Sequence, residues 1–173
     1  MKKYFILFLL TAMLLSLLAG CGKAPAETTP PTEDVPPEPV VQFDLPTLYN
    51  QGMAALSQDG NSAPILFPES NLNYLNNFYP GIADVEMKQF YAGVAPVTNA
   101  PNEIILVEVA DKADVQTMLT IFQTRAAKAA ENATLPENAA AWADNCKITS
   151  RGNYVFLAVF MSPYQIPAEF ILD

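Results

Sequence analysis

The sequence contains no histidine. That absence removes Ser-His-Asp and Cys-His catalysis, histidine-ligated zinc and the usual acid–base group working near neutral pH. Cysteine is nearly as scarce, with Cys21 and Cys146 alone. Basic residues are few as well: 9 Lys and Arg stand against 18 Asp and Glu. So acidic a balance argues against nucleic acid, whose binding depends on Lys and Arg neutralising phosphates. It argues equally against electrostatic adhesion to anionic lipid, which needs basic clusters beside the membrane. Phosphate-cradling G-x-G-x-x-G, the acidic calcium loop, G-x-S-x-G and S-x-x-K are all missing. The sequence therefore offers no candidate catalytic residue, metal ligand set or cofactor.

What is present begins at the N-terminus. Lys2 and Lys3 precede a run from Tyr4 to Gly22 without a charged residue. A positive start, an apolar stretch and small residues before a cut site make a secretory signal peptide. The run is also long enough to cross a bilayer as a helix. Leu18-Ala19-Gly20-Cys21 resembles the lipobox of bacterial lipoproteins. The resemblance implies cleavage between Gly20 and Cys21 and a diacylglyceryl group on the Cys21 thiol. Two acyl chains suffice for stable anchoring, where one holds only marginally. The expected address is the extracytoplasmic face of the cell membrane, with the membrane contacted through that lipid.

Removing residues 1–20 leaves 153 of the 173 residues, with 7 basic against 18 acidic ones, a balance of −11. Residues 21–43 read as the lipidated cysteine and a disordered tether. Pro25, Pro30, Pro31, Pro36, Pro37 and Pro39 alternate with Thr, Glu and Asp, a composition that cannot build a core. At about 3.1 Å per residue such a stretch extends to roughly 70 Å.

Residues 44–173 read as one domain. Asp44 caps a first helix with Leu45, Leu48, Tyr49, Met53 and Leu56 on one face. A second helix is expected from Glu69 to Phe78, stopped by Tyr79-Pro80-Gly81. From Asp84 the period changes to two, with Val85, Met87, Gln89 and Tyr91 on one side of a strand. Residues 103–110 form a nearly continuous apolar strand. Asp111 then opens a long helix to Asn132 with Val115, Met118, Leu119, Phe122, Ala126 and Ala129 buried. Pro136 starts a shorter helix around Trp142. Lys147–Ser150 and Tyr154–Met161 pair as a hairpin across Arg151-Gly152-Asn153. A last helical turn lies near the C-terminus. The expectation is an α+β fold: an antiparallel four-stranded sheet with helices mainly on one face, in the order α-α-β-β-α-α-β-β-α.

Within this frame, Val94 to Phe160 resembles a family of small uncharacterised lipoproteins of Gram-positive Firmicutes that share a domain of unknown function. Glu103-Ile104, Asp111, Arg125, Pro136-Glu137 and Gly152-Asn153-Tyr154-Val155 carry the likeness. Glu108 and Leu135 depart from it, where members often have a lysine and an aromatic residue. The resemblance implies a fold and an address, and no activity.

Glu103 and Glu108 lie an odd number of positions apart on one strand, which puts them on opposite faces. Asp111 and Asp114 are explained by helix capping. Arg125 is expected to pair with a carboxylate from the sheet edge or the C-terminal segment, or to offer its planar fork to a ligand. Cys146 is expected to be buried as a small hydrophobe. Tyr74, Tyr79 and Tyr91, with Arg125, are the candidates for a ligand or partner surface. The reading that follows is a non-enzymatic binding or interaction module, with an envelope protein or glycan as partner. The alternative is a carboxylate-based cell-envelope hydrolase, which needs two acids facing each other across a cleft.

Overall fold

A computed structural model describes residues 42–57, 62–96 and 100–172. Gly20, Cys21, the signal peptide and most of the tether lie outside the described residues. The first helix, α1 (Leu45–Leu56), starts as the sequence predicts: Asp44 Oδ2 accepts the Thr47 N–H at 3.1 Å and Pro46 occupies the first turn. Leu45, Tyr49, Gly52 and Leu56 face inward. Gly52 is there for closeness, since a Cβ at that position would fall inside the ring of Phe170.

The sheet has five strands, not four: β1 (Phe67–Pro68), β2 (Met87–Val94), β3 (Glu103–Val109), β4 (Lys147–Arg151) and β5 (Tyr154–Val159), all pairing antiparallel in the order β1-β2-β3-β5-β4. The additional strand is β1 (Phe67–Pro68), a two-residue edge paired with the end of β2 (Met87–Val94). Its Pro68 lacks an N–H, which explains why the apolar stretch 65–67 gives no clear strand signal. The expected second helix is regular only over α2 (Leu72–Leu75), where Asn71 caps it. It then unwinds through turns to Gly81 at φ +94° and a 3-10 turn at Ile82–Asp84. The order of elements therefore differs from the expected one, with a strand between the first two helices.

A bulge between Met87 and Gln89 breaks the period-two reading of β2. Met87 consequently joins Phe90 and Ala92 in one core, while Tyr91 lies in the other. The central strand β3 (Glu103–Val109) is followed by a 3-10 turn, Lys112–Asp114, and the long helix α3 (Val115–Glu131). The buried face of α3 is Met118, Ile121, Phe122, Arg125 and Ala129, rotated so that an arginine points inward. Pro136 begins α4 (Pro136–Asp144), which buries Ala141 and Trp142. The hairpin β4 (Lys147–Arg151) and β5 (Tyr154–Val159) turns on Gly152 and Asn153, one residue tighter than the expected loop.

Three of the four α-helices pack on one face of the sheet, as expected, and the other face is covered too, by α1 and the C-terminal residues. On one face, Ile105, Val107, Val109, Val155, Leu157 and Val159 meet α2, α3 and α4. On the other, Ile104, Leu106, Phe156 and Ala158 meet α1, Phe160, Phe170 and Leu172. Strands covered on both sides are nearly continuous apolar runs, and β5 is buried throughout.

Candidate functional site

Arg125 is 6% exposed and Glu103 4%, the two buried charges of the fold among the described residues. Parity brings them together, because Glu103 shares its face of β3 with Val107 and Val109, and α3 lies across that face. Arg125 Nη2 donates to Glu103 Oε2 at 2.9 Å. The Tyr79 hydroxyl donates to the other oxygen, Oε1, at 2.7 Å. The guanidinium carbon stands 4.8 Å from the Trp142 ring centre, 5.5 Å from Phe78 and 5.6 Å from Tyr79. Aromatic faces of this kind stabilise a desolvated cation electrostatically. Burial opposes the charge on Arg125, but Glu103 and then Tyr79 outweigh it and hold its pKa above the usual arginine value. Burial, then the Glu103 charge, pushes the Tyr79 hydroxyl well above the usual tyrosine value. The Cys146 thiol beside this cluster is pushed up to about 12, first by burial and then by Glu103. It is a protonated thiol at neutral pH, and a poor nucleophile.

This arrangement is a closed set. The carboxylate accepts a cation and a hydroxyl on its two oxygens, and aromatic rings seal the guanidinium. Arg125 finds a carboxylate in the central strand, where the expectation looked to the sheet edge or the C-terminal segment. The signal that pointed to this was available: an acid on the inward parity of an apolar strand needs a buried partner.

The four residues taken as a candidate surface are dispersed. Tyr79 and Arg125 meet in the core. Tyr74 stands on α2, 45% exposed and edge-on to Phe78 at 5.3 Å. Tyr91 is on the opposite face, 4.4 Å from the Tyr49 ring centre. Burial, then Tyr91, raises the Tyr49 hydroxyl above its usual value. Ile65, Phe67 and Leu135 are exposed large apolar side chains that the sequence reading did not place on the candidate surface.

Glu108 is indeed turned away from Glu103. Its Oε2 accepts from Gln89 Nε2 at 2.7 Å, and Lys88 Nζ lies 3.9 Å from its other oxygen. A cleft of about 300 Å³ opens between the end of α1 and residues 163–167, lined by Leu56, Tyr164 and Ile166 among others, and none of its lining residues is charged. Among the described residues no three acids or thiols cluster as a metal site, and no helix is long and apolar enough to cross a membrane.

A model of the family described as Domain of unknown function (DUF4358) matches residues 69–160, more than half of the chain. No curated protein and no solved structure matches it.

Proposed function

The chain belongs to the DUF4358 family, and from that premise we propose that it is a membrane-anchored extracytoplasmic lipoprotein of a Gram-positive cell envelope. Its folded part would serve as a non-enzymatic binding or interaction module. The anchoring half of this reading is supported by Leu18-Ala19-Gly20-Cys21 closing an uncharged run behind Lys2 and Lys3. The binding half is carried by one observation. The place where opposing charged groups converge, around Glu103, Arg125 and Tyr79, is a sealed interior, and the thiol beside it, Cys146, is half-buried where full burial was expected. What the fold turns outward instead is apolar side chains such as Ile65, 74% exposed, and Phe67, 54% exposed, material suited to contact with a macromolecule.

Metabolic labelling with a radioactive fatty acid tests the anchor in the full chain. Wild type is expected to carry the label at mature size. Cys21→Ala is expected to lose the label and accumulate as precursor. A mature-sized, labelled Cys21→Ala product would overturn the anchor. For the module, crosslinking on intact cells followed by affinity capture is expected to enrich a partner over an unrelated protein bearing the same residues 1–43. Equal recovery from both would sink it.

A further inference from the structure

The two edges of the sheet are built differently. β1 ends one side with two residues, one of them Pro68. β4 ends the other with five residues, Lys147-Ile148-Thr149-Ser150-Arg151, none of them proline. The hairpin register fixes what this second edge displays. Arg151 and Tyr154 flank the two-residue turn, so they exchange both ladder bonds, as do Thr149 with Phe156 and Lys147 with Ala158. The N–H and C=O groups of Ile148 and Ser150 therefore point away from β5, toward the open edge. Such a row is a template for one more strand.

The side chains decide which strand. Lys147, Thr149 and Arg151 share one face of β4. The Thr149 hydroxyl is occupied, accepting the Leu172 N–H at 3.0 Å. Lys147 and Arg151 are both exposed, and neither makes an ion pair among the described residues. Two cations four positions apart are thus displayed along one open edge of an otherwise acidic chain. A second copy of β4 laid antiparallel on the first would place Lys147 opposite Arg151, and like charges directly opposite are unfavourable. An acidic strand meets the reverse situation.

Resting on the interaction-module reading above, we infer that the β4 edge accepts an extended acidic peptide segment as a sixth strand. Its recognition element is a pair of carboxylates four residues apart, about 13 Å in an extended chain, set opposite Lys147 and Arg151. Backbone bonds to Ile148 and Ser150 would supply the pairing, and the two ion pairs the selection.

The probe is a fluorescent peptide, (Glu-Val)4-Glu, titrated into the soluble chain from residue 22 onward and followed by anisotropy, with (Lys-Val)4-Lys as the control. Wild type is expected to bind the acidic peptide, at least about tenfold more tightly than the basic one, with affinity falling as salt screens the charges. Ser150→Pro removes an outward N–H without touching the β4–β5 ladder, and is expected to weaken binding about tenfold. Lys147→Glu with Arg151→Glu changes only exposed side chains, and is expected to reverse the preference between the two peptides. No binding by wild type, or binding that both variants leave unchanged, overturns the inference. So does a wild-type dimer that Ser150→Pro dissolves, since that would make a second copy the occupant. A photocrosslinker placed at Phe67 and separately at Ser150 in cells separates this failure from failure of the broader reading. Specific adducts from Phe67 without any from Ser150 would remove the β4 edge and leave the module standing, whereas adducts from neither would remove both.

Discussion

Glu103 and Glu108 stand five positions apart on β3, yet they live in different chemistries. Glu103 is sealed under α3 with Arg125, Tyr79 and the rings of Phe78 and Trp142. Glu108 remains at the rim of the other face, held by the Gln89 amide and a distant Lys88. Stripping water from a carboxylate costs several kcal/mol unless its oxygens find donors, so the inner acid must be fully partnered. The outer acid keeps water within reach and needs much less. The same contrast runs through the two faces. One combines packing with a charged pair among helices within residues 69–160, the span of the family match. The other is apolar, closed by α1 and the 3-10 turn Ala168–Phe170, both outside that span.

The contrast would break first at Arg125. Arg125→Met leaves Glu103 buried with a hydroxyl alone, and is expected to lower unfolding free energy by about 3–5 kcal/mol in urea melts. Adding Glu103→Leu to that variant should recover part of the loss, because it removes the unpaired buried carboxylate but leaves the Tyr79 hydroxyl without its acceptor. A single substitution costing under about 1 kcal/mol would make the two acids equivalent.

On the apolar face the matching test is Gly52→Ala, which forces a methyl into the Phe170 ring. Overpacking of this kind costs about 1–3 kcal/mol. Phe170→Leu in the same background is expected to return part of it, and no recovery would mean the clash lies elsewhere.

Alkaline titration involves both faces, since burial also raises Tyr49 and Tyr154 on the second one, but the thiol belongs to the first alone. Cys146 releases its proton near 9 when unfolded and only at about 12 when folded. The folded state thus holds more protons between those values, and stability falls as pH rises through that window. Tyr79, raised in the same direction, adds to the fall above about pH 10. Cys146→Ala should flatten the stability curve from about pH 9 upward while leaving its shape below pH 8. An unchanged alkaline slope would place the thiol outside the sealed cluster. The smallest effect is assigned to Glu108→Gln, within about 1 kcal/mol by the same melts and lessened by salt.

Much of this was readable along the chain. Asp44 and Pro136 mark helix starts through local hydrogen bonding and fixed backbone angles, and they do so in the fold. Asp111 caps the 3-10 turn that leads into α3. Runs such as Ile104–Val107 and Tyr154–Val159 mark central strands, and their unbroken apolarity already contained the second covered face. Period-two reasoning failed at Met87–Gln89 because a bulge is a tertiary accommodation with no composition of its own. Helix periodicity found Met118, Phe122 and Ala129, and also Val115, Leu119 and Ala126, which pack partly buried against the same core. It left Arg125 off the buried face of α3 because arginine counts as polar until its partner is known. That partner, Glu103, is 22 residues away, beyond any local pattern. Tyr79 read as a helix stop beside Pro80, and only the folded chain turns its hydroxyl onto the same carboxylate.

Phe43 gives the fold a mechanical property. Its N–H is held by the Tyr154 hydroxyl at 3.1 Å and its C=O by Gln89 Nε2 at 2.9 Å. Its ring meets Tyr154 edge-on at 5.0 Å. Gln89 and Tyr154 belong to β2 and β5, the two strands that flank β3. Tension arriving along the chain from before residue 42 is therefore divided between two neighbouring ladders of the central sheet before α1 bears any of it. A pull from the N-terminal end would load these contacts before it loads the first helix.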